Sequence, residues 1–298
     1  MKIALFGNKI STQAILDRLV EFEHSVVVFQ VSSSSSHGIS GYHEISKKDL
    51  HEKISVELVS NYSLKTESDL DHFKTAKFDV GICAGWQRLI PQSILDTFRF
   101  GVFGWHGSPF HFPNGRGRSP LNWSLRLGLS EVNLYCFRYS SGADDGDIFN
   151  VTNIPINRSA LISDLQEYTL PIIINDVNQI IQKCQNNNFA LKKQSHKAFI
   201  YFPKLTPDDG ELKIGLHNPE QFVSLIKASS RPFPGAFMKL EDGLVRIWDG
   251  DLFLRPKNGK IVCKENEINF TDNTLLIGFK EQILISKDFE RVEQSTLL

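Results

Sequence analysis

Hydrophobic and polar positions along this chain follow two periods. Lys2–Phe6 is a short apolar run closed by Gly7. Ser25–Val31 (SVVVFQV) and Phe78–Ala84 (FDVGICA) are nearly continuous apolar runs, as strands buried on both faces should be. Gly101–Trp105 (GVFGW) is a further buried strand and Ser55–Val59 a weaker one. Between them the period changes. Ile10–Phe22 places Ile15, Leu16, Leu19 and Val20 on one side of a helix. Ser68–Ala76 reads as a short helix capped by Ser68, and Pro91–Phe98 as one with proline in its first turn. Alternation of this kind predicts an α/β fold: a Rossmann-like, mostly parallel sheet flanked by helices. Such sheets hold ligands at the carboxyl ends of their strands, here after Phe6, Val31, Ala84 and Trp105.

Farther along, Ser119–Leu127 reads as a helix, and Asn133–Tyr139 and Ile148–Ile154 as strands joined by the acidic loop Ser140–Asp147. Leu161–Cys184 is a long helix. The polar stretches Gln185–Asn188 and Lys192–Lys197 read as a linker. Beyond it, Pro219–Ala228 is a helix capped by Asn218. Leu244–Trp248, Lys260–Cys263, Thr274–Phe279 and Gln282–Ser286 are short strands separated by turns. The reading divides the chain into a domain over 1–190 and a smaller β-rich, barrel-like domain over 191–298.

Composition narrows the function. The 298 residues are 41% hydrophobic, enough for a sizeable core. Lys+Arg number 33 against Asp+Glu 34, so there is no global basic field to draw nucleic acid. No apolar run reaches the roughly 18 residues that a membrane span needs. The amino terminus lacks the apolar region and cleavage site of a signal peptide, and a cytoplasmic protein is expected. The four scattered cysteines form no C-x-x-C pair and read as buried free thiols. The first strand is followed by GNKIS, neither a G-x-G-x-x-G nor a P-loop, so a bound NAD or ATP is not supported.

The chemistry concentrates in Gly104–Pro120, GWHGSPFHFPNGRGRSP. His106 stands at the end of a buried strand. A turn-rich loop follows and delivers Arg116 and Arg118 just before a helix start. That placement suits a phosphate or carboxylate, or equally a solvated basic turn. Gly142–Ile148 (GADDGDI) offers two adjacent carboxylates. They could hold a metal, lie in a solvated turn, or orient His106 and fix its tautomer, as a general base requires.

The order of these strings resembles the folate-dependent formyltransferases: a strand ending in His-Gly-Ser, then RGRSPLNW, then GADDGDI. That family includes methionyl-tRNA formyltransferases and nucleotide-sugar N-formyltransferases. FIYFPKLTPDDG (Phe199–Gly210) and RPFPGAF (Arg231–Phe237) resemble the sugar enzymes most. The resemblance makes 1–190 the formyl-folate-binding catalytic domain. It implies N10-formyltetrahydrofolate as co-substrate and no metal. The pterin would lie against the loop Gly85, Trp86, Gln87, Arg88, Leu89 and Ile90, and against Gly142, Ala143 and Asp144. His106 and Asp144 match the catalytic histidine and aspartate, with Ser108, Arg116 and Arg118 toward the acceptor. The family's asparagine two residues before the histidine, a donor to the formyl oxygen, is Gly104 here. Either Asn122 or a water is expected to fill the space and supply that hydrogen bond.

The expected function is formyl transfer to a primary amine on a nucleotide-linked amino sugar, with lipopolysaccharide biosynthesis as its setting. The loop Ser32–Ser46 contains no Lys or Arg, which favours a small acceptor over tRNA. The expectation is no nucleic-acid and no membrane partner, with a homodimer left open. Formylation of methionyl-tRNA is the alternative, as is a folate- or sugar-binding protein without catalysis.

Overall fold

The apolar runs lie side by side in one sheet. The protein is described from a computed structural model, which covers residues 1–22, 24–35, 41–46, 51–195, 200–255, 263–271 and 273–293. Strands β1 (Lys2–Phe6), β2 (Ser25–Val31), β3 (Ile54–Val59), β4 (Val80–Cys83) and β5 (Val102–Ser108) are mutually parallel. Helices α1 (Ile10–Glu21), α2 (Glu67–Ala76) and α3 (Gln92–Leu95) connect them. The two-residue strand β6 (Arg116–Gly117) and helix α4 (Pro120–Arg126) precede β7 (Glu131–Arg138) and β8 (Ile148–Pro155). The seven-stranded order is β3-β2-β1-β4-β5-β7-β8, with β7 antiparallel to β5. Helix α5 (Ile162–Gln185) follows.

Two local expectations change. The cap of α2 is Thr66, not Ser68: its hydroxyl accepts from the Asp69 N–H at 3.0 Å while the Asp69 carboxylate accepts from the Thr66 N–H. That reciprocal pair satisfies two orphan donors at once, which Ser68 inside the first turn cannot do. Strand β5 also runs three residues past Trp105. Its register with β7 pairs His106 with Tyr135 and Ser108 with Asn133, so the histidine lies within the ladder.

Five of the 22 phenylalanines of the sequence gather in one cluster against the sheet. Phe6, Phe29, Phe73, Phe78 and Phe98 are all buried and pack with Val102 and Ile94. Phe29 and Phe73 approach to 4.7 Å between ring centres, and Phe6 and Phe29 to 5.2 Å. Each such side chain contributes about 1.5–3 kcal/mol by burial.

Contacts divide the chain differently from a single cut at 190. One unit comprises Met1–Gly117, Asn133–Asn153 and Tyr168–Tyr201; the other comprises Arg118–Val132, Ile154–Glu167 and Phe202–Leu298. Two early segments join the later unit because Leu125, Ile162 and Leu165 pack with Ala228 of α6 (Pro219–Ser229) in one cluster. Asn218 caps α6, as its sequence predicts. The short β9 (Tyr201–Phe202) precedes that helix. The rest of the unit is antiparallel. A three-stranded sheet joins β10 (Ala236–Leu240), β11 (Gly243–Ile247) and β16 (Phe289–Glu293). A four-stranded sheet joins β12 (Asp251–Leu254), β15 (Gln282–Ser286), β14 (Thr274–Gly278) and β13 (Ile268–Thr271). Phe222, Leu225 and Ile226 of α6 pack with Val245, Ile277 and Leu284. The expected strand Lys260–Cys263 falls largely outside the described residues, as do Ser36, His37 and Gly38 of the serine loop, Lys197 of the linker and Phe199. Ser33–Ser35 forms a single 3-10 turn.

Candidate active site

Successive residues of β5 face opposite sides of the sheet. Gly104 and His106 share one face, and Trp105 takes the other. His106 is 7% exposed. Its Nε2 lies 3.0 Å from the Gly115 carbonyl oxygen and its Nδ1 3.5 Å from Oδ2 of Asp144. Asp144 adopts φ +55°, in the left-handed region that a short polar side chain tolerates better than most. The conformation turns its carboxylate back toward β5, where Oδ2 also accepts from the Gly117 N–H at 3.2 Å.

The acidic loop is clamped from outside. Gln194 Nε2 donates to the carbonyls of Asp144 at 3.0 Å and Gly146 at 2.6 Å. Its Oε1 accepts from Arg116 at 2.6 Å. Arg116 is 2% exposed and lies over the Phe112 ring, so its guanidinium belongs to the loop's architecture. Ser108 is similarly engaged: its hydroxyl contacts the carbonyls of Phe110 at 2.6 Å and Asn114 at 3.1 Å. Arg118 is exposed, its backbone N–H bonded to the Phe202 carbonyl. Asp145 accepts from the Ser140 hydroxyl.

The arrangement defines which nitrogen can act. With Nε2–H donating to the Gly115 carbonyl, Nδ1 keeps its lone pair on the Asp144 side. The 3.5 Å separation there exceeds an ordinary N–H···O bond. A proton arriving at Nδ1 meets a carboxylate that stabilises the resulting cation.

The loop after β4 carries the residues expected at the pterin. Trp86 donates its indole N–H to the Tyr62 carbonyl at 2.9 Å and meets Phe6 edge-on. Gln87 donates to the Gly85 carbonyl. Arg88 and Leu89 are exposed, and Ile90 is buried in the core. Leu89, Ile90, Leu64, Leu70, Lys65 and Ser141 line a cavity of about 560 Å³. A second cavity of about 530 Å³ shares Gln92 and Ser141 with it and is bordered by Tyr139, Ser140 and Gly146. Gly142 and Ala143 are half-buried between Ser141 and Asp144. Lys9, in the loop after β1, runs along Gly85, where an added Cβ would meet its side chain at 2.2 Å; burial pushes its ammonium pKa down.

Gly104 and Asn122 depart from expectation. Asn122 is buried in α4, and its amide donates to the Ala228 carbonyl at 2.8 Å, tying α4 to α6. That hydrogen bond serves the packing of its own unit. The space beside Gly104 is not open either. A Cβ built there would lie 2.4 Å from both Cε1 and the hydroxyl oxygen of Tyr139. Tyr139 and Gln194 are the two site residues that sequence reasoning missed. One ends a strand and the other stands in a polar run, and neither position carries a local signal.

Residues 1–170 match the formyl transferase family. The methionyl-tRNA formyltransferase of Agrobacterium fabrum is 23% identical over 246 residues, 82% of this chain and 78% of that protein. The N-formyltransferase from Helicobacter canadensis, solved with folinic acid and dTDP-3-aminofucose, superposes with a TM-score of 0.68 at 14% identity. The match covers 97% of this chain and 99% of that one. HypX from Aquifex aeolicus, solved with tetrahydrofolic acid, gives a TM-score of 0.66 at 18% identity over 100% of this chain. The chain spans 47% of the length of HypX. With its motifs in order on a sheet of this topology, the chain belongs to the formyl transferase family.

Proposed function

We propose that this protein moves a formyl group from N10-formyltetrahydrofolate to a primary amine on a nucleotide-linked amino sugar. The observation that carries the reading is His106 held between the Gly115 carbonyl and the Asp144 carboxylate, with one ring nitrogen left as base. The cavity beside Leu89 and Ile90 offers the donor apolar walls for a flat aromatic body, with Lys65, Glu67 and Gln92 among its polar lining. When bound, the folate supplies an activated formyl carbon.

The protein's own groups supply the remainder. Nδ1 of His106 takes the proton that the amine must lose as it attacks and, directly or through water, returns it to the folate nitrogen as the formyl C–N bond breaks. Asp144 stabilises the imidazolium, and Gly115 keeps the ring from rotating. Gln194 and Arg116 hold the acidic loop in register with β5. Positioned proton transfer of this kind contributes about 10²–10⁴-fold.

A small acceptor is favoured by the Ser32–Ser46 loop, which has no Lys or Arg, and by the near-zero net charge. The Helicobacter relative, crystallised with a dTDP-amino sugar, points the same way. Methionyl-tRNA is the second reading, favoured by the tRNA enzymes among the sequence relatives. The test offers N10-formyltetrahydrofolate with dTDP-3-aminofucose, with other nucleotide-linked amino sugars, and with methionyl-tRNA, and follows product mass. Formylated amino sugar supports the proposal. Product on methionyl-tRNA alone overturns the acceptor.

A further inference from the structure

Formyl transfer builds negative charge on the formyl oxygen, and a water-poor site must meet that charge with a placed donor. The backbone face that carries His106 offers no side chain at Gly104. The nearest polar side-chain atom there is the Tyr139 hydroxyl, 2.4 Å from where a Gly104 Cβ would be. Gly104 and His106 stand two residues apart on one strand face, about 7 Å along it. The hydroxyl is therefore on the histidine's side of the sheet and within reach of a group the histidine serves.

Three features fix that hydroxyl. The Tyr139 N–H donates to the Val102 carbonyl at 2.7 Å, so its backbone is tied to the start of β5. Its ring stacks on Phe137, whose own backbone pairs with Gly104. The next residues begin the acidic loop that carries Asp144, so one short segment delivers both groups. Cys83, which pairs with Gly104 in the sheet, lies beside the hydroxyl. A thiol is a weak acceptor, so the O–H is readily exchanged for an anionic oxygen. Burial raises the phenol's pKa well above the usual value and pushes the Cys83 thiol to about 12, so both keep their protons near neutrality.

We propose that Tyr139 occupies the place of the side chain Gly104 lacks, and that its hydroxyl donates to the formyl oxygen as charge builds there. The proposal rests on the formyl-transfer reading, and it makes Gly104 and Tyr139 a matched pair: any larger residue at 104 must displace the ring.

The experiment has two arms. In the first, isotope-edited infrared spectra are recorded of [¹³C]formyl-10-formyl-5,8-dideazafolate, a stable donor analogue, bound to wild type and to Tyr139→Phe. A formyl stretch at lower frequency in wild type than in the variant shows the hydrogen bond directly, without any acceptor. An identical stretch in both overturns the proposal. In the second arm, transfer from N10-formyltetrahydrofolate to the acceptor identified by product mass is compared across variants. Tyr139→Phe should slow turnover by about 10²–10³-fold with little change in analogue affinity. Gly104→Asn should be comparably impaired, and Gly104→Asn with Tyr139→Ala should recover at least part of the loss. Wild-type turnover in Tyr139→Phe overturns the donor role. His106→Asn, run alongside, separates the two claims: full turnover there removes the general-base reading, while the infrared comparison still decides Tyr139.

Discussion

Two carboxylates flank strand β5, one on each face, and they are used in opposite ways. Asp176 of α5 is 1% exposed and accepts from the indole N–H of Trp105 at 2.9 Å and the amide of Asn150 at 2.8 Å. Both donors are neutral and fixed. Burial pushes its carboxyl pKa up against these two bonds. Asp144 keeps 22% side-chain exposure and stands 3.5 Å from an imidazole nitrogen that can take up a proton. One carboxylate is satisfied by groups that never change charge. The other faces a group whose charge changes during the proposed reaction. The residue type does not distinguish them; the partner does, and the partner is set by which of two adjacent strand residues points which way.

Substitutions on the two faces should therefore fail differently. The largest effect is expected from His106→Asn, which removes the base and should lower single-turnover formyl transfer by about 10²–10⁴-fold. Folate affinity, measured by titration, should change little, because the expected pterin loop is Gly85–Ile90. Equal loss of binding and turnover would make His106 a structural residue like Trp105. Next comes Gln194→Ala. It frees the carbonyls of Asp144 and Gly146 and leaves Arg116 without its partner's amide oxygen. A loop shift of the order of an ångström can cost up to about 10²-fold in rate. The expected signature is a fall in kcat with folate affinity little changed. An unchanged kcat would show that Asp144 holds its place without the clamp.

Much of the first unit was legible in the sequence because its strands are buried on both faces. A run such as Val26–Val31 reads as a strand without knowledge of its neighbours. Strands β10, β12, β13 and β16 were missed; in the last three the residues are exposed or half-buried, so no apolar run marks them. His106 and Asp144 were legible as types in a motif order, and their approach is a matter of turn geometry around Asp144 at φ +55°. Helix position alone gives Asn122 no partner, and the Ala228 carbonyl that takes its amide lies 106 residues away. Tyr139 beside Gly104 was invisible for a similar reason: a vacated side-chain position reads as space until the fold shows which ring fills it.

The smallest effects belong to the Asp176 face and should appear in stability, not in chemistry. Asp176→Ala leaves two half-buried donors, the Trp105 indole and the Asn150 amide, without their buried acceptor, at a cost of up to about 1–3 kcal/mol each where water does not reach them. Urea unfolding should show a lower midpoint, while kcat of the folded variant stays close to wild type. The pH dependence sharpens the contrast. Burial raises the folded-state pKa of Asp176 above its usual 3.8, so near-neutral solutions force a charged carboxylate into the core. As pH falls through the raised value toward 3.8, the folded state takes up this proton before the unfolded state does, and wild type gains stability from it. The alanine variant has no such group. Wild type's margin over Asp176→Ala should therefore widen on acidification from about pH 7. A margin that stays constant or narrows over that range would show that the carboxylate is not strained by burial, and the distinction between the two faces would then rest on His106 alone.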